Sequence, residues 1–190
     1  MAGHPKHYFS IDEYLALEKV SDARFEYWDG ELVLMSGGKR EHNQIADNVY
    51  HRLRLKLEGG PCRAFSAAQN IDTPALPPYR YPDASVACGK ANFRSLDGID
   101  LLTNPVLIVE VLSPSTESVD RRAKFDAYKA IPSFREYLLI RCDIRHAVHH
   151  IKQSDGSWAH RSHIEGDIVL ESIGGTLSFA EIYEGVPEET

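Results

Sequence analysis

The segment Val106 to Leu112, VLIVEVL, constrains this chain more than any other. Residues on both sides of its pleat are β-branched or aliphatic, which predicts a strand buried on both faces, yet Glu110 stands in the middle. An unpaired charge there costs several kcal/mol even after relaxation, a large part of a domain's whole stability. Something must therefore compensate it: a metal ion, a core arginine, or a proton on the carboxyl itself.

Elements can be placed around this strand. Ser10 with Glu13 forms a capping box that opens a helix through about Lys19, and Asp29-Gly30 separates two strand-like runs as a tight hairpin turn. Ile45, Val49, Leu53 and Leu57 recur at helical spacing between Glu41 and Leu57, before Gly59, Gly60 and Pro61. Strands are expected at about Cys62 to Ile71, Tyr79 to Cys88 and Val106 to Leu112. A helix begins near Asp120 and stops before Pro132, and REYLLIRCD, HAVHHIKQ and SWAHRSHI read as a closing run of antiparallel strands with a turn at Asp155-Gly156. This order gives an α+β (mixed α/β) fold without repeats, and neither SGG nor IGG forms a phosphate-binding loop.

A chain of 190 residues, 43% hydrophobic and 26% charged, suits one domain over residues 1–190 with a short flexible N-terminus of about seven residues. A net charge of -7 argues against coating nucleic acid by bulk electrostatics, so any such partner must be met by a local cluster. Cys62, Cys88 and Cys142 are widely spaced and odd in number with no CxxC pair, from which neither a disulfide framework nor a cysteine zinc site is expected. No apolar run reaches signal-peptide or membrane-span length, so the expected location is a reducing cytoplasm, with no membrane partner.

In extended chain Tyr81, Asp83 and Ser85 share one face, as do Ile108, Glu110 and Leu112. If these strands are neighbours, Asp83 and Glu110 converge on a hard divalent cation such as Mg²⁺, which takes one or two carboxylates plus water and phosphate oxygens. The alternatives are a turn role for Asp83 and a neutral or arginine-paired Glu110. Asp120, Ala123, Lys124, Ala127, Tyr128 and Ile131 form one helical stripe, which turns Lys124 towards the core while Arg122, Asp126 and Lys129 face outward. Two acids, a metal and an ammonium suit phosphodiester hydrolysis, where water is activated and charge on the phosphate is stabilised.

YPDASV, PVLIVEVLSPST and DRRAKFDAYKAIPSFREYLLI, with FEYWDGELVLMSGG and His42 upstream, resemble the Uma-type restriction endonucleases of the PD-(D/E)XK nuclease superfamily, across most of residues 8–185. The resemblance implies a restriction-endonuclease-like core, a central mixed sheet flanked by helices. It also implies a Mg²⁺-dependent endonuclease acting on DNA, with Mn²⁺ as a substitute metal and a homodimer suited to both strands of a duplex. Asp83 and Glu110 become the metal-binding acids, and Glu26, matching the family's early glutamate, an additional metal ligand. The superfamily's usual lysine, two residues after the second acid, is replaced here by Leu112, which makes Lys124 the catalytic candidate. The departure keeps open a catalytically inactive module that binds nucleic acid or protein. His42 reads as a core or site-edge histidine, and His146, His149 and His150 as strand decoration. Arg121, Arg122, Lys129, Lys39 and Arg40 are phosphate-contact candidates.

Overall fold

The computed structural model describes residues 7–34, 39–75, 77–113, 117 and 120–187. Its contacts divide the chain into two compact units, Met1–Gly38 and Lys39–Thr190.

In the first unit, helix α1 (Ile11–Val20) carries the expected capping box at Ser10 and Glu13. Strands β1 (Phe25–Trp28) and β2 (Glu31–Leu34) pair antiparallel around Asp29 and Gly30, both at positive φ, the geometry a two-residue hairpin turn demands. The Tyr14 hydroxyl donates to the Phe25 carbonyl and the Tyr27 hydroxyl to that of Phe9, tying helix and hairpin together. The expected flexible N-terminus falls mostly outside the described residues.

The second unit opens with α2 (Arg40–Lys56), whose Ile45, Val49 and Leu53 are buried at the predicted spacing. Strands β3 (Cys62–Ser66), β4 (Ile71–Asp72), β5 (Tyr79–Arg80), β6 (Ala84–Cys88), β7 (Phe93–Leu96), β8 (Ile99–Leu102) and β9 (Leu107–Leu112) follow. After a π-helical turn over Asp120–Lys124 come α3 (Phe125–Lys129), β10 (Glu136–Arg141), β11 (Ala147–Lys152), β12 (Trp158–His163), β13 (Asp167–Leu170), β14 (Gly175–Ser178) and α4 (Phe179–Ile182). A six-stranded mixed sheet runs β12-β11-β10-β9-β6-β3, and a four-stranded one β5-β4-β8-β7. The β9–β10 pair is parallel, because the helical segment between them carries the chain back over the sheet.

One face of the large sheet packs Leu107, Val109 and Val111 against Ile45, Val49, Leu53 and Ile182. On the other, Ile108, Leu112, Tyr137 and Leu139 meet Tyr128 of α3. β9 is buried at every position, as its composition requires.

Four expectations are corrected. The run Cys62 to Ile71 breaks after Ser66, and Tyr79 to Cys88 breaks around Pro82, which has no N–H for a ladder. Cys62 and Cys88 form a disulfide: the β3–β6 register places them directly opposite, with Cα atoms 3.9 Å apart, a proximity their separation in sequence conceals. Cysteine usage therefore no longer argues for a reducing compartment. Ala123 is exposed although it lies on the helical stripe, because the π-helical turn shifts the stripe by part of a residue. Among the described residues no helix is long and apolar enough to cross a membrane.

Candidate active site

Glu110 is 2% exposed, and its compensation comes from the helical segment that bridges β9 and β10. Lys124 Nζ lies 3.1 Å from Glu110 Oε2, and the Tyr128 hydroxyl donates to Oε1 at 3.0 Å. Lys124 and Tyr128 are four residues apart, and both reach the face of β9 that carries Glu110. The core arginine and the neutral carboxyl are thus not needed. An ammonium and a phenol hold one oxygen each.

Leu112 is 1% exposed and packs in the apolar cluster on this face. A lysine there would have to bury its charge among Ile108, Tyr128 and Leu139, so the ammonium enters from the helix instead.

Asp83 immediately precedes β6, whose first residue Ala84 pairs with Val109, the neighbour of Glu110 on β9. Asp83 Oδ2 accepts the Val111 amide at 2.6 Å, so the side chain caps β9 just before β6 begins. His42 Nε2 from α2 approaches the same oxygen at 3.6 Å, and its Nδ1 is buried without a hydrogen-bond partner among the described residues. His42 is therefore a site-edge residue.

Glu26 belongs to the first unit, where it is 9% exposed and its Oε2 accepts from the Trp28 indole at 3.3 Å. Arg121 pairs with Glu117 at 2.8 Å and Lys129 with Asp126, while Arg122, Lys39 and Arg40 are exposed. Tyr128 was legible only as a core residue on the Lys124 stripe; its four-residue spacing from Lys124 was the signal for its shared role.

No group of three or more His, Cys, Asp or Glu able to hold a metal occurs among the described residues. A hard cation of the Mg²⁺ class keeps several waters and needs only one or two protein carboxylates, so a larger acidic cluster is not required to hold one.

The family model described as "Putative restriction endonuclease", Uma2, matches residues 11–176. The chain belongs to that family. Two uncharacterized proteins of Synechocystis sp. are similar to it: slr1290, 33% identical over 93% of this chain and 92% of its own, and sll1609, 31% identical over 77% and 82%. The fold is also that of a crystal structure from Anabaena variabilis described as a "putative nuclease belonging to DUF820", with TM-score 0.70, 17% identity, and coverage of 92% of this chain and 97% of that one. The fold class read from the sequence is the one found, a mixed α+β restriction-endonuclease-like core. Family and fold together support a nuclease role for this Uma2 member.

Proposed function

We propose that this Uma2 protein is a Mg²⁺-dependent endonuclease that hydrolyses DNA phosphodiester bonds, with Asp83 and Glu110 as metal-binding acids and Lys124 as the catalytic cation. The observation that carries this reading is the buried contact of Lys124 with Glu110 at 3.1 Å, on the strand paired with β6, which Asp83 precedes. When bound, a divalent cation would lower the pKa of a water and offset charge on the phosphate. Asp83 and Glu110 would offer it one oxygen each. Lys124, held by Glu110, would present its ammonium to a non-bridging phosphate oxygen as negative charge develops. Such a preorganised donor acts strongly because the surrounding apolar cluster excludes water. Tyr128 would fix the Glu110 carboxylate, and His42 would steady Asp83. Glu26 stays a proposed outer ligand on the family resemblance alone. A homodimer belongs to the same reading, since two-fold symmetry matches the two strands of a duplex.

A second reading has a specific observation in its favour. Both Glu110 oxygens already have protein partners and Leu112 fills the usual lysine position, as in a binding module that has kept the fold but lost the chemistry.

The test is cleavage of plasmid and linear DNA by purified protein with Mg²⁺, with Mn²⁺ and with EDTA, beside Glu110→Gln prepared identically. Metal-dependent cleavage lost in the variant supports the nuclease. No cleavage together with no thermal stabilisation by either metal supports the silent module, because a ligand at 100 times its Kd adds about 2.7 kcal/mol.

A further inference from the structure

The half-exposed side of β11 and β12 has a composition that the candidate active site does not use. The β11–β12 register opposes Val148 to Ser162, His150 to His160, and Lys152 to Trp158, so these six residues share one face. None is acidic, in a chain whose net charge is -7. The β10–β11 register sets His150 beside Tyr137, and the β9–β10 register sets Leu139 beside Glu110, so this is the face on which Glu110 lies.

The rings form a continuous surface. Phe125 lies 4.6 Å from His150 and 5.1 Å from Trp158 between ring centroids, and His150 lies 5.8 Å from His160. Lys129 Nζ stands 4.8 Å above the Phe125 ring. Phe125 directly follows Lys124, so the rings begin next to the Glu110–Lys124 pair. The Lys152 ammonium makes no ion pair among the described residues. Burial lowers the pKa of His150, and His160, Arg121, His149 and Lys129 push it further the same way, which marks a locally cationic field.

We propose that this face of β11 and β12 binds a single-stranded segment of the nucleic acid, with bases stacked on His160 and Trp158 and phosphates drawn to Lys152. The inference rests on the nuclease reading and adds to it a strand path leading to Glu110. A single strand is the occupant because its bases leave their π-faces free, whereas a duplex hides them. Rings interleaved with cations bind such a strand with little regard to sequence.

The test uses the full chain and a fluorescein-labelled single-stranded oligonucleotide of mixed sequence, followed by anisotropy in EDTA so that no cleavage occurs. His160→Ala and Lys152→Ala each weaken binding about tenfold, and Lys152→Ala also flattens the salt dependence by about one phosphate contact. Arg161→Ala, on the opposite side of β12, changes affinity less than twofold. Unchanged binding in the first two variants, an equal loss in Arg161→Ala, or duplex bound as tightly as single strand overturns the proposal. Metal-dependent cleavage measured in parallel separates the two readings: cleavage abolished by Glu110→Gln with binding untouched by His160→Ala removes the strand path alone. Absence of both cleavage and binding removes the nuclease as well.

Discussion

Lys124 Nζ sits 3.1 Å from Glu110 Oε2 with the two side chains only 6% and 3% exposed, so opposite charges meet in an apolar layer. Such a pair contributes little net stability against a well-packed apolar replacement, but breaking it by removing one partner is destabilising by about 3 to 5 kcal/mol. An arrangement this expensive to break is consistent with a role in chemistry.

Glu110→Gln keeps the shape and the hydrogen bond from Tyr128, but removes the negative charge that faces the Lys124 ammonium at 3.1 Å. The expected outcome is a folded protein of lowered melting temperature and no metal-dependent cleavage, measured by circular dichroism and a plasmid assay. Full cleavage by the variant would show that Glu110 is the wrong acid.

Tyr128→Phe removes only the hydroxyl, since the ring stays packed against Phe134 and Tyr137. A hydrogen bond to a charged group contributes about 1.5 to 3 kcal/mol, so urea unfolding should report a loss of that order. The rate of cleavage should fall far less than in a Lys124 variant, because the phenol orients Glu110 without meeting the phosphate. A fall as large as that from Lys124→Ala would place Tyr128 at the reacting atoms.

The Cys62–Cys88 bridge joins edge strand β3 to β6 across a sequence separation of 26. On the chain-entropy account a loop of this size is stabilised by about 3 kcal/mol. Non-reduced, denatured protein should therefore titrate one thiol, Cys142, and the Cys62→Ser, Cys88→Ser double variant should lose stability of that order. Three titratable thiols would show that the bridge does not form.

The site's main acid was legible because its signal is local: a charge inside VLIVEVL has no polar neighbour in sequence, so burial and compensation follow from the strand alone. Lys124 was legible through the helical stripe, although the π-helical turn moved Ala123 out of it. Tyr128 was not, since a tyrosine on an apolar stripe reads as core until the opposing carboxylate is known. The hairpin of β7 and β8 was overlooked despite Asp97-Gly98, both at positive φ, because FRSL and IDLL carry too little alternation to stand out. The cross-strand disulfide depends on register, which spacing does not encode.

Acid should destabilise the protein in two steps. Burial, with His160, Arg121, His149 and Lys129, lowers His150 from 6.5 to about 4. Burial raises Glu136, but His149 and the Ser172 hydroxyl and amide outweigh it and hold the carboxyl below its ordinary 4.5. In both windows the unfolded chain binds more protons than the folded one, so stability falls as pH is lowered. His150 acts between about 6.5 and 4, and Glu136 from about 4.5 downward. Urea midpoints from pH 7 to 3 should fall throughout. His150→Gln should flatten the upper part of the curve and Glu136→Gln the lower part, and unchanged slopes in both variants would refute these assignments.

The sharpest separation between nuclease and silent module lies on one helical segment. Lys124→Ala removes an ammonium buried against Glu110, whereas Lys129→Ala removes one that is 37% exposed and paired with Asp126. Each change deletes one positive charge from the same segment, so a general loss of attraction for a polyanion affects both alike. Loss of one preorganised charge-stabilising donor lowers turnover by about 10² to 10³. Lys124→Ala should therefore fall by that factor under saturating DNA with Mn²⁺ stabilisation retained, and Lys129→Ala should stay within a few-fold of the parent. Because Lys124→Ala also uncovers the Glu110 charge, Lys124→Met serves as a second variant that restores the volume without the ammonium, and it should be equally slow. Equal losses at positions 124 and 129, or undiminished turnover in Lys124→Met, would remove the lysine from the chemistry and favour the silent module.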